Sequence, residues 1–287
     1  MTKYSSSSTS GCSISKMFTA AGFCRVASVM SKPLLAIENL NVGYKNRQEG
    51  SVVVGGVNVK LYGGEVVALV GRNGAGKSTL LRTLTAFQKP LSGEVYFPCG
   101  AVGEMSSVEV ARQASIVLTE SQGLSLTVRE LVALGRTPYT NVFGRLTGYD
   151  RFVVEEAMAT MGVTAFADRR VETLSDGERQ KCMIAKALAQ ETPLMLFDEP
   201  TAFLDFQSKV ALFKLFKKLA AEMGKAVLVS THDVELAVRL ADRLWVISSG
   251  VMHAGTVEEL SENGVLSSFL DDGNMYYDSE GKKIEIL

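Results

Sequence analysis

The sequence predicts an α/β fold built on a mainly parallel β-sheet. The first observation is a β-branched apolar run that ends in a glycine-rich turn at Gly71 and continues as a helical pattern over residues 77–87. A buried strand that enters a helix through glycines is typical of a parallel sheet with helices packed on its faces. The second observation is that strand patterns later alternate with amphipathic helix patterns, at residues 194–197, 207–223, 226–230, 234–241 and 243–247.

The composition limits the class of protein. Of the 287 residues, 46% are hydrophobic and 21% are charged, which excludes a wholly disordered chain. A net charge of -1 argues against a protein that wraps nucleic acid, so we expect no nucleic-acid partner. No apolar run approaches the ~20 residues that cross a bilayer, so another chain would supply any membrane spans. The cysteines lack a CxxC pair, which favours a reducing compartment, and they are Cys12, Cys24, Cys99 and Cys182.

The N-terminal segment differs from the rest of the chain. Residues 1–30 begin with an aperiodic serine-rich stretch, and we expect them to form a disordered extension. Two alternatives stay open. The weakly apolar stretch around Ala20-Ala21-Gly22 loosely resembles a signal-peptide cleavage site. Translation could also start at Met30, immediately before the organised sequence.

Strands precede the glycine-rich turn, and helices follow it. The runs at residues 34–44 and 52–70 are rich in β-branched residues and broken by glycines, which predicts strands. Residues 127–135 open with a threonine cap and a glutamate three positions on, and residues 150–162 begin with Asp150 as a cap and end at a glycine. The tail predicts a hairpin around residues 278–281.

A phosphate-binding turn follows the first buried parallel strand. The segment matches GxxxxGK[ST] and has the preceding strand and following helix that this motif requires. Glycines allow successive backbone N–H groups to face phosphate oxygens, and the helix start adds its positive dipole end. Lys77 suits the β- and γ-phosphates, and the Ser78 hydroxyl suits Mg²⁺. We therefore expect ATP and Mg²⁺ to bind at Gly71, Arg72, Asn73, Gly74, Ala75, Gly76, Lys77, Ser78 and Thr79.

Two acids end the apolar run at residues 194–197. Carboxylates at the carboxyl end of a buried parallel strand are costly unless they face a metal or a reacting group. Asp198 is suited to the Mg²⁺ shell, and Glu199 is suited to polarising a water that attacks the γ-phosphate. The alternative is a plain helix-start cap. Ser175 and Glu178 have the spacing of a capping box, which by itself indicates only that a helix begins there.

Five motifs follow one another along the chain. They are the phosphate loop, LSDGERQ from residue 174, LMLFDEPT ending at residue 201, FLD at residues 203–205 and STHD at residues 230–233. In this order they resemble the ABC ATPase family, and the resemblance covers about residues 34–250. It implies a P-loop NTPase core with an N-terminal antiparallel β subdomain and a helical signature subdomain at about residues 121–185. Residues 251–287 would then form an extension of strand, helix and hairpin.

The same resemblance implies roles for residues that no spacing could assign. Two copies would lie head to tail as a homodimer. Tyr44 would stack on adenine, Asp205 would lie at the dimer seam, and His232 would contact the γ-phosphate and align Glu199. Each ATP would lie between one copy's phosphate loop and the other copy's signature residues Ser175, Asp176, Gly177 and Glu178.

The sequence departs from the family pattern at two positions. Asp176 stands where the family usually has glycine, and it adds a negative charge near the partner's phosphates. The family's Mg²⁺-sensing glutamine matches a stretch in which Glu120 is the candidate, since a carboxylate oxygen also binds a hard cation. Gln122 is the alternative if the loop is shifted.

A further segment bears on the partner. Residues 127–139, with Gly144, Leu146 and Asp150, resemble the helical segment of ATPases that serve iron-siderophore, haem or cobalamin importers. The resemblance implies two integral-membrane permease subunits, an indirect link to a substrate-binding protein, and a peripheral location on the cytoplasmic face of the cell membrane. The alternatives are another importer subclass, or a soluble ABC ATPase with no role in transport.

Overall fold

The computed structural model describes residues 32–45, 50–118, 125–141, 143–202, 204–271, 275–278 and 283–286. The predicted N-terminal extension at residues 1–30 lies outside these residues, as do the tip of the predicted tail hairpin and the two candidates for the Mg²⁺-sensing position, Glu120 and Gln122.

Within the described residues, ten strands form one mixed sheet and two more form a C-terminal hairpin. The strands of the sheet are β1 (Leu35–Lys45), β2 (Gly50–Leu61), β3 (Val66–Gly71), β4 (Ser92–Phe97), β5 (Gly100–Ala101), β6 (Ala114–Val117), β7 (Leu194–Asp198), β8 (Ala226–Thr231), β9 (Arg243–Ser248) and β10 (Val251–Gly255). The hairpin pairs β11 (Met275–Asp278) with β12 (Lys283–Ile286), as the tail pattern predicted.

The order of the strands in the sheet is β5-β4-β1-β2-β10-β9-β3-β8-β7-β6. Strands β9, β3, β8, β7 and β6 are mutually parallel, which confirms the predicted α/β core. Strands β1, β2, β4 and β5 pair antiparallel, as the family resemblance implied. The two parts are joined because β10 pairs with both β2 and β9, so they form one continuous sheet.

Helices cover the sheet and form a separate layer in the middle of the chain. They are α1 (Lys77–Leu84), α2 (Ser107–Gln113), α3 (Val128–Ala133), α4 (Gly148–Thr160), α5 (Asp176–Ala189), α6 (Phe206–Met223), α7 (Val234–Leu240), α8 (Val257–Glu262) and α9 (Val265–Asp271), with a 3₁₀ turn at Leu134–Tyr139. None of the described helices is both long enough and apolar enough to span a membrane.

The start of α4 corrects one prediction. The cap is Thr147, whose hydroxyl accepts the Asp150 N–H at 3.1 Å, and Asp150 is the reciprocal member of the capping box. The prediction placed the cap three residues too late because either side chain can cap a helix, and only the backbone conformation decides which one does. For α3 the predicted capping box is correct, with Thr127 and Glu130 as its members.

The parallel strands are buried along their whole length. All six residues of β3, all five of β7 and all six of β8 are buried, so their apolar side chains fill both faces of the sheet. On one face, Phe197 of β7 stacks on Phe216 of α6 with ring centroids 4.5 Å apart, and Phe213 meets Phe216 edge-on. This contact fixes α6 against the strand that carries the two acids.

Phe216→Ala is expected to destabilise the fold by about 3–5 kcal/mol, because Phe216 is fully buried and its loss leaves a cavity under β7. Urea unfolding followed by circular dichroism measures the change. Phe206→Ala on the same helix is the control: this side chain is 71% exposed, and its removal should cost within about 0.5 kcal/mol. Equal losses for the two variants would contradict the packing described.

Candidate active site

The predicted phosphate loop lies between β3 and α1. Gly74 and Gly76 have φ angles of 79° and 100°, in the left-handed region that favours glycine. A side chain at Gly76 would also meet Val53, because an added Cβ would lie 2.6 Å from its Cγ1. These glycines allow the loop to turn tightly ahead of the α1 N-terminus, a conformation in which successive backbone N–H groups can face phosphate oxygens.

Lys77 is held inside this loop. The residue is 6% exposed, and its Nζ donates to the carbonyl of Gly71 at 2.8 Å. The same Nζ lies 3.5 Å from Oε1 of Glu199. The lysine charge therefore stands between the loop and the carboxyl end of β7, where both the phosphates and the attacking water would have to meet.

Tyr44 of β1 lies beside the loop. Its hydroxyl is 3.0 Å from Oγ1 of Thr79 in the first turn of α1, while the residue stays 52% exposed. The ring is thus tethered at one end and available on its face. This is compatible with the stacking role that the resemblance implied, and the role stays a prediction.

Asp198 and Glu199 are oriented by a residue that the sequence analysis did not assign. Ser230, at the end of β8, donates its hydroxyl to Oδ1 of Asp198 at 2.7 Å and accepts the Glu199 N–H at 2.9 Å. The β7–β8 pairing sets Ser230 opposite Asp198. Glu199 has a φ of 49°, a costly conformation for a residue with a side chain, so this contact holds a strained position.

His232 lies on the other side of Glu199. Its Nδ1 is 3.5 Å from Oε2 of Glu199, and its side chain is 53% exposed. The glutamate carboxylate is therefore flanked by Lys77 and by His232. The backbone after His232 is fixed because Asp233 caps α7 and accepts from Lys209 Nζ at 3.2 Å. Neither Asp233 nor Lys209 had been assigned a role from the sequence.

The signature residues form the N-terminus of α5. Ser175 is the N-cap, and its backbone N–H donates to Glu178 at 2.9 Å, which confirms the predicted capping box. The same bond is the main reason that the pKa of Glu178 is lowered. Asp176 pairs with Arg179 at 3.0 Å, so its additional negative charge is met by a cation on the same helix turn. Gly177 follows in the first turn.

Asp205 caps α6, where its carboxylate accepts the Ser208 N–H at 2.8 Å. That bond is the leading cause of the lowered pKa of Asp205. The residue is exposed, and its place at a dimer seam stays a prediction.

The site fits a magnesium–nucleotide ligand by its donor chemistry. A glycine-rich turn before a helix N-terminus and a lysine suit phosphates. Hydroxyl and carboxylate oxygens such as those of Ser78 and Asp198 suit a hard divalent cation. A phosphate loop, an acidic pair at a strand end and a following histidine define a P-loop nucleotide hydrolase. The chain belongs to the ABC transporter family, whose model matches residues 54–202, and it is an ATP-binding subunit with an ATPase domain.

Similarity to known proteins extends beyond the motifs. The chain is 36% identical over 234 residues to the iron(3+)-hydroxamate import ATP-binding protein of Bacillus subtilis, covering 81% of this chain and 86% of that protein. An inward-facing metal-chelate type ABC transporter matches with a TM-score of 0.72, at 26% identity over 84% of this chain and 90% of that one. A dimeric bacterial ABC transporter cassette matches with a TM-score of 0.70, at 29% identity over 78% and 98%.

Ser230→Ala should slow ATP hydrolysis by about 10- to 100-fold, the effect of losing one hydrogen bond to a charged group. ATP binding should be unchanged, because the hydroxyl of Ser230 bonds to Asp198 and Glu199 rather than to the phosphate loop residues that would hold the phosphates. A phosphate-release assay and binding of a labelled nucleotide measure the two quantities.

Ser115→Ala is the matched control, since Ser115 is also buried in the sheet but bonds to Thr192 at the opposite edge. This variant should hydrolyse ATP at the normal rate. If Ser230→Ala were as active as Ser115→Ala, Ser230 would not orient the acidic pair.

Proposed function

We propose that two copies of this chain bind ATP head to tail and hydrolyse it to drive an importer of metal chelates. The observation that carries the chemistry is the position of Glu199, with Lys77 and His232 each 3.5 Å from its carboxylate at the end of β7. A carboxylate held between two cationic or proton-bearing groups at a phosphate loop is suited to activate water.

The phosphate loop and Tyr44 are proposed to bind the nucleotide. The backbone N–H groups from Gly71 to Thr79 would hold the phosphates, and Lys77 would exchange its bond to the Gly71 carbonyl for phosphate oxygens. Tyr44 would offer its exposed ring face to the adenine. Binding energy would then come from both β1 and the β3–α1 turn.

Magnesium is proposed to be held by Ser78 and Asp198, with Glu120 as the third candidate ligand. When bound, the cation would neutralise charge on the phosphate oxygens. The hydrogen bond from Ser230 to Asp198 fixes one carboxylate oxygen, so the acid is oriented before any ligand binds. Glu199 is left to accept the proton of the attacking water, and His232 is proposed to hold Glu199 and the γ-phosphate in line.

The partner copy is proposed to complete each site. The N-terminus of α5 presents Ser175, Asp176, Gly177 and Glu178, and a helix of 14 residues directs a positive dipole end at that point. Arg179 offsets the charge of Asp176. Asp205 at the start of α6 is proposed to lie at the seam between the copies. The dimeric cassette among the structural relatives supports this arrangement.

The names of the relatives support a proposal for the cargo and the partners. A relative named for iron(3+)-hydroxamate import and a structure of a metal-chelate type transporter support an importer of iron-siderophore, haem or cobalamin class. We propose that the dimer sits on two integral-membrane permease subunits at the cytoplasmic face of the cell membrane. A substrate-binding protein would act on the other side of the same permease.

Glu199→Gln should bind ATP normally and hydrolyse it ~10²- to 10⁴-fold more slowly, the range that a positioned base contributes. Because the closed state would persist, this variant should elute as a dimer only when ATP and Mg²⁺ are present. Glu235→Gln is the control: Glu235 pairs with Arg239 at 2.8 Å on the exposed side of α7 and should leave the rate unchanged. A monomeric Glu199→Gln with normal hydrolysis would refute the proposed mechanism.

The cargo is tested with the membrane proteins that co-purify with the chain. Reconstituted in vesicles, the complex should take up a ferric hydroxamate, haem or cobalamin in the presence of ATP, and the same complex carrying Glu199→Gln should not. A complex that transports only a cargo without a bound metal would overturn the chelate class and leave the ATPase assignment intact.

A further inference from the structure

A buried arginine lies far from the proposed nucleotide site. Arg136, in the 3₁₀ turn at Leu134–Tyr139, is 2% exposed. Its Nε donates to Oδ1 of Asp150 at 2.9 Å, and its Nη1 donates at 2.7 Å both to the Ala189 carbonyl and to Oε2 of Glu191. One side chain thus joins the 3₁₀ turn, the first turn of α4 and the C-terminal end of α5.

Two tyrosines enclose the guanidinium. The ring centroid of Tyr139 lies 4.3 Å from its central carbon, and that of Tyr149 lies 5.7 Å away. Both hydroxyls then bond to the end of α5: Tyr149 donates to Glu191 and Tyr139 to the Gln190 carbonyl, each at 2.9 Å. The arginine therefore has a fixed orientation as well as a fixed position.

The backbone next to Arg136 also packs closely against α5. Gly135 packs so closely on this helix that an added Cβ would lie 2.3 Å from the Lys186 carbonyl. Glu191 has a φ of 52°, a strained conformation that two partners, Arg136 and Tyr149, hold in place. Burial acts to raise the pKa of Asp150, but hydrogen bonds from Thr147 and Arg136 hold this pKa below its usual value.

Helix α5 connects this arginine to the signature. The helix is about 21 Å long by its rise per residue, and its other end carries the capping box of Ser175 and Glu178. A change in the direction of the α5 axis at its C-terminal end would displace Ser175 at the N-terminal end, because a helix of this length moves as a rigid rod. Apolar side chains in the place of Arg136 would avoid the free-energy cost of burying a charge. They would lack the directional hydrogen bonds of a guanidinium.

We propose that Arg136 is a positioning residue that fixes the direction of α5, so that the signature residues meet the partner copy's ATP. This inference rests on the proposed head-to-tail function. Arg136 touches no reacting group, and its effect would be transmitted only through the helix. Loss of the hydrogen bonds from its guanidinium should therefore weaken closure of the dimer while leaving ATP binding by one copy unchanged.

The test uses the full chain carrying Glu199→Gln, with Arg136→Lys added. Lysine keeps the buried positive charge, so Asp150 and Glu191 keep a counter-ion. Its single nitrogen cannot occupy the positions of both Nε and Nη1, and it has no planar group to stack on the two tyrosine rings. The ATP concentration that gives half-maximal dimer, measured by light scattering, should rise about 2- to 30-fold, the span of mutational effects on coupling between sites. Affinity for a labelled ATP analogue, measured on dilute monomer, should not change.

Arg129→Gln in the same background is the matched control. Arg129 pairs with Glu155 and Asp168 in the same helical layer, and within the described residues none of its side-chain ion pairs reaches α5, so its loss should leave the dimerisation midpoint at the parent value. An Arg136→Lys midpoint equal to the parent's would overturn the inference. So would an equal rise for Arg129→Gln, which would indicate a general loss of stability.

Two further outcomes are decided in the same experiment. If Arg136→Lys does not fold, Tyr149→Phe replaces it: this change removes only the hydroxyl that holds Glu191, and a raised midpoint supports the inference whereas a parent midpoint overturns it. If the parent Glu199→Gln chain itself fails to dimerise with ATP, the proposed function falls and the inference falls with it. If the parent dimerises with ATP, the proposed function stands and the variants test the role of Arg136 by itself.

Discussion

The parallel register of β3, β8 and β7 is the constraint on which the site depends. Strand β8 pairs with both neighbours, so Val70 lies beside Thr231 and Asp198 lies beside Ser230. All three strands are buried along their length, and the polar residues of the candidate site lie where these strands end, at the carboxyl edge. The phosphate loop, the acidic pair and His232 are thereby brought together from residues up to 161 positions apart, Gly71 to His232.

The two edges of the sheet have different roles. At the carboxyl edge, Lys77, Glu199 and His232 are grouped where a ligand can reach them. At the amino edge, charge is buried: burial lowers the pKa of Lys225 to about 8, and the nearby Glu191 carboxylate opposes that shift. The same Glu191 carboxylate accepts a hydrogen bond from Arg136. Through Arg136 and Glu191 the helical layer is bonded to the sheet at the edge opposite to the chemistry. At the other end of α5, Ser175 and Asp176 are exposed.

Much of the fold and of the site could be predicted from local patterns. Some features depend only on residues that are close together in the sequence. These are the strand and helix periods, the glycine turn, and the capping box of Ser175 and Glu178. Ser230 could not be assigned, because its contact with Asp198 depends on strand register rather than on its neighbours in the chain. The contacts of Arg136 could not be predicted either, because its hydrogen-bond acceptors include Glu191, 55 residues away in the sequence. The family resemblance implied roles for Tyr44 and His232 that no local pattern could indicate, and these roles stay predictions.

A second copy is proposed to complete each ATP site. Two differently tagged Glu199→Gln chains whose native cysteines are replaced, one carrying Asn73→Cys and the other Ser175→Cys, test this arrangement. A short thiol-bridging reagent should link the two chains to each other in the presence of ATP and Mg²⁺, and not without them, because the phosphate loop of one copy would then face the α5 N-terminus of the other. Absence of any link between the chains, under conditions where ATP is bound, would contradict the head-to-tail dimer.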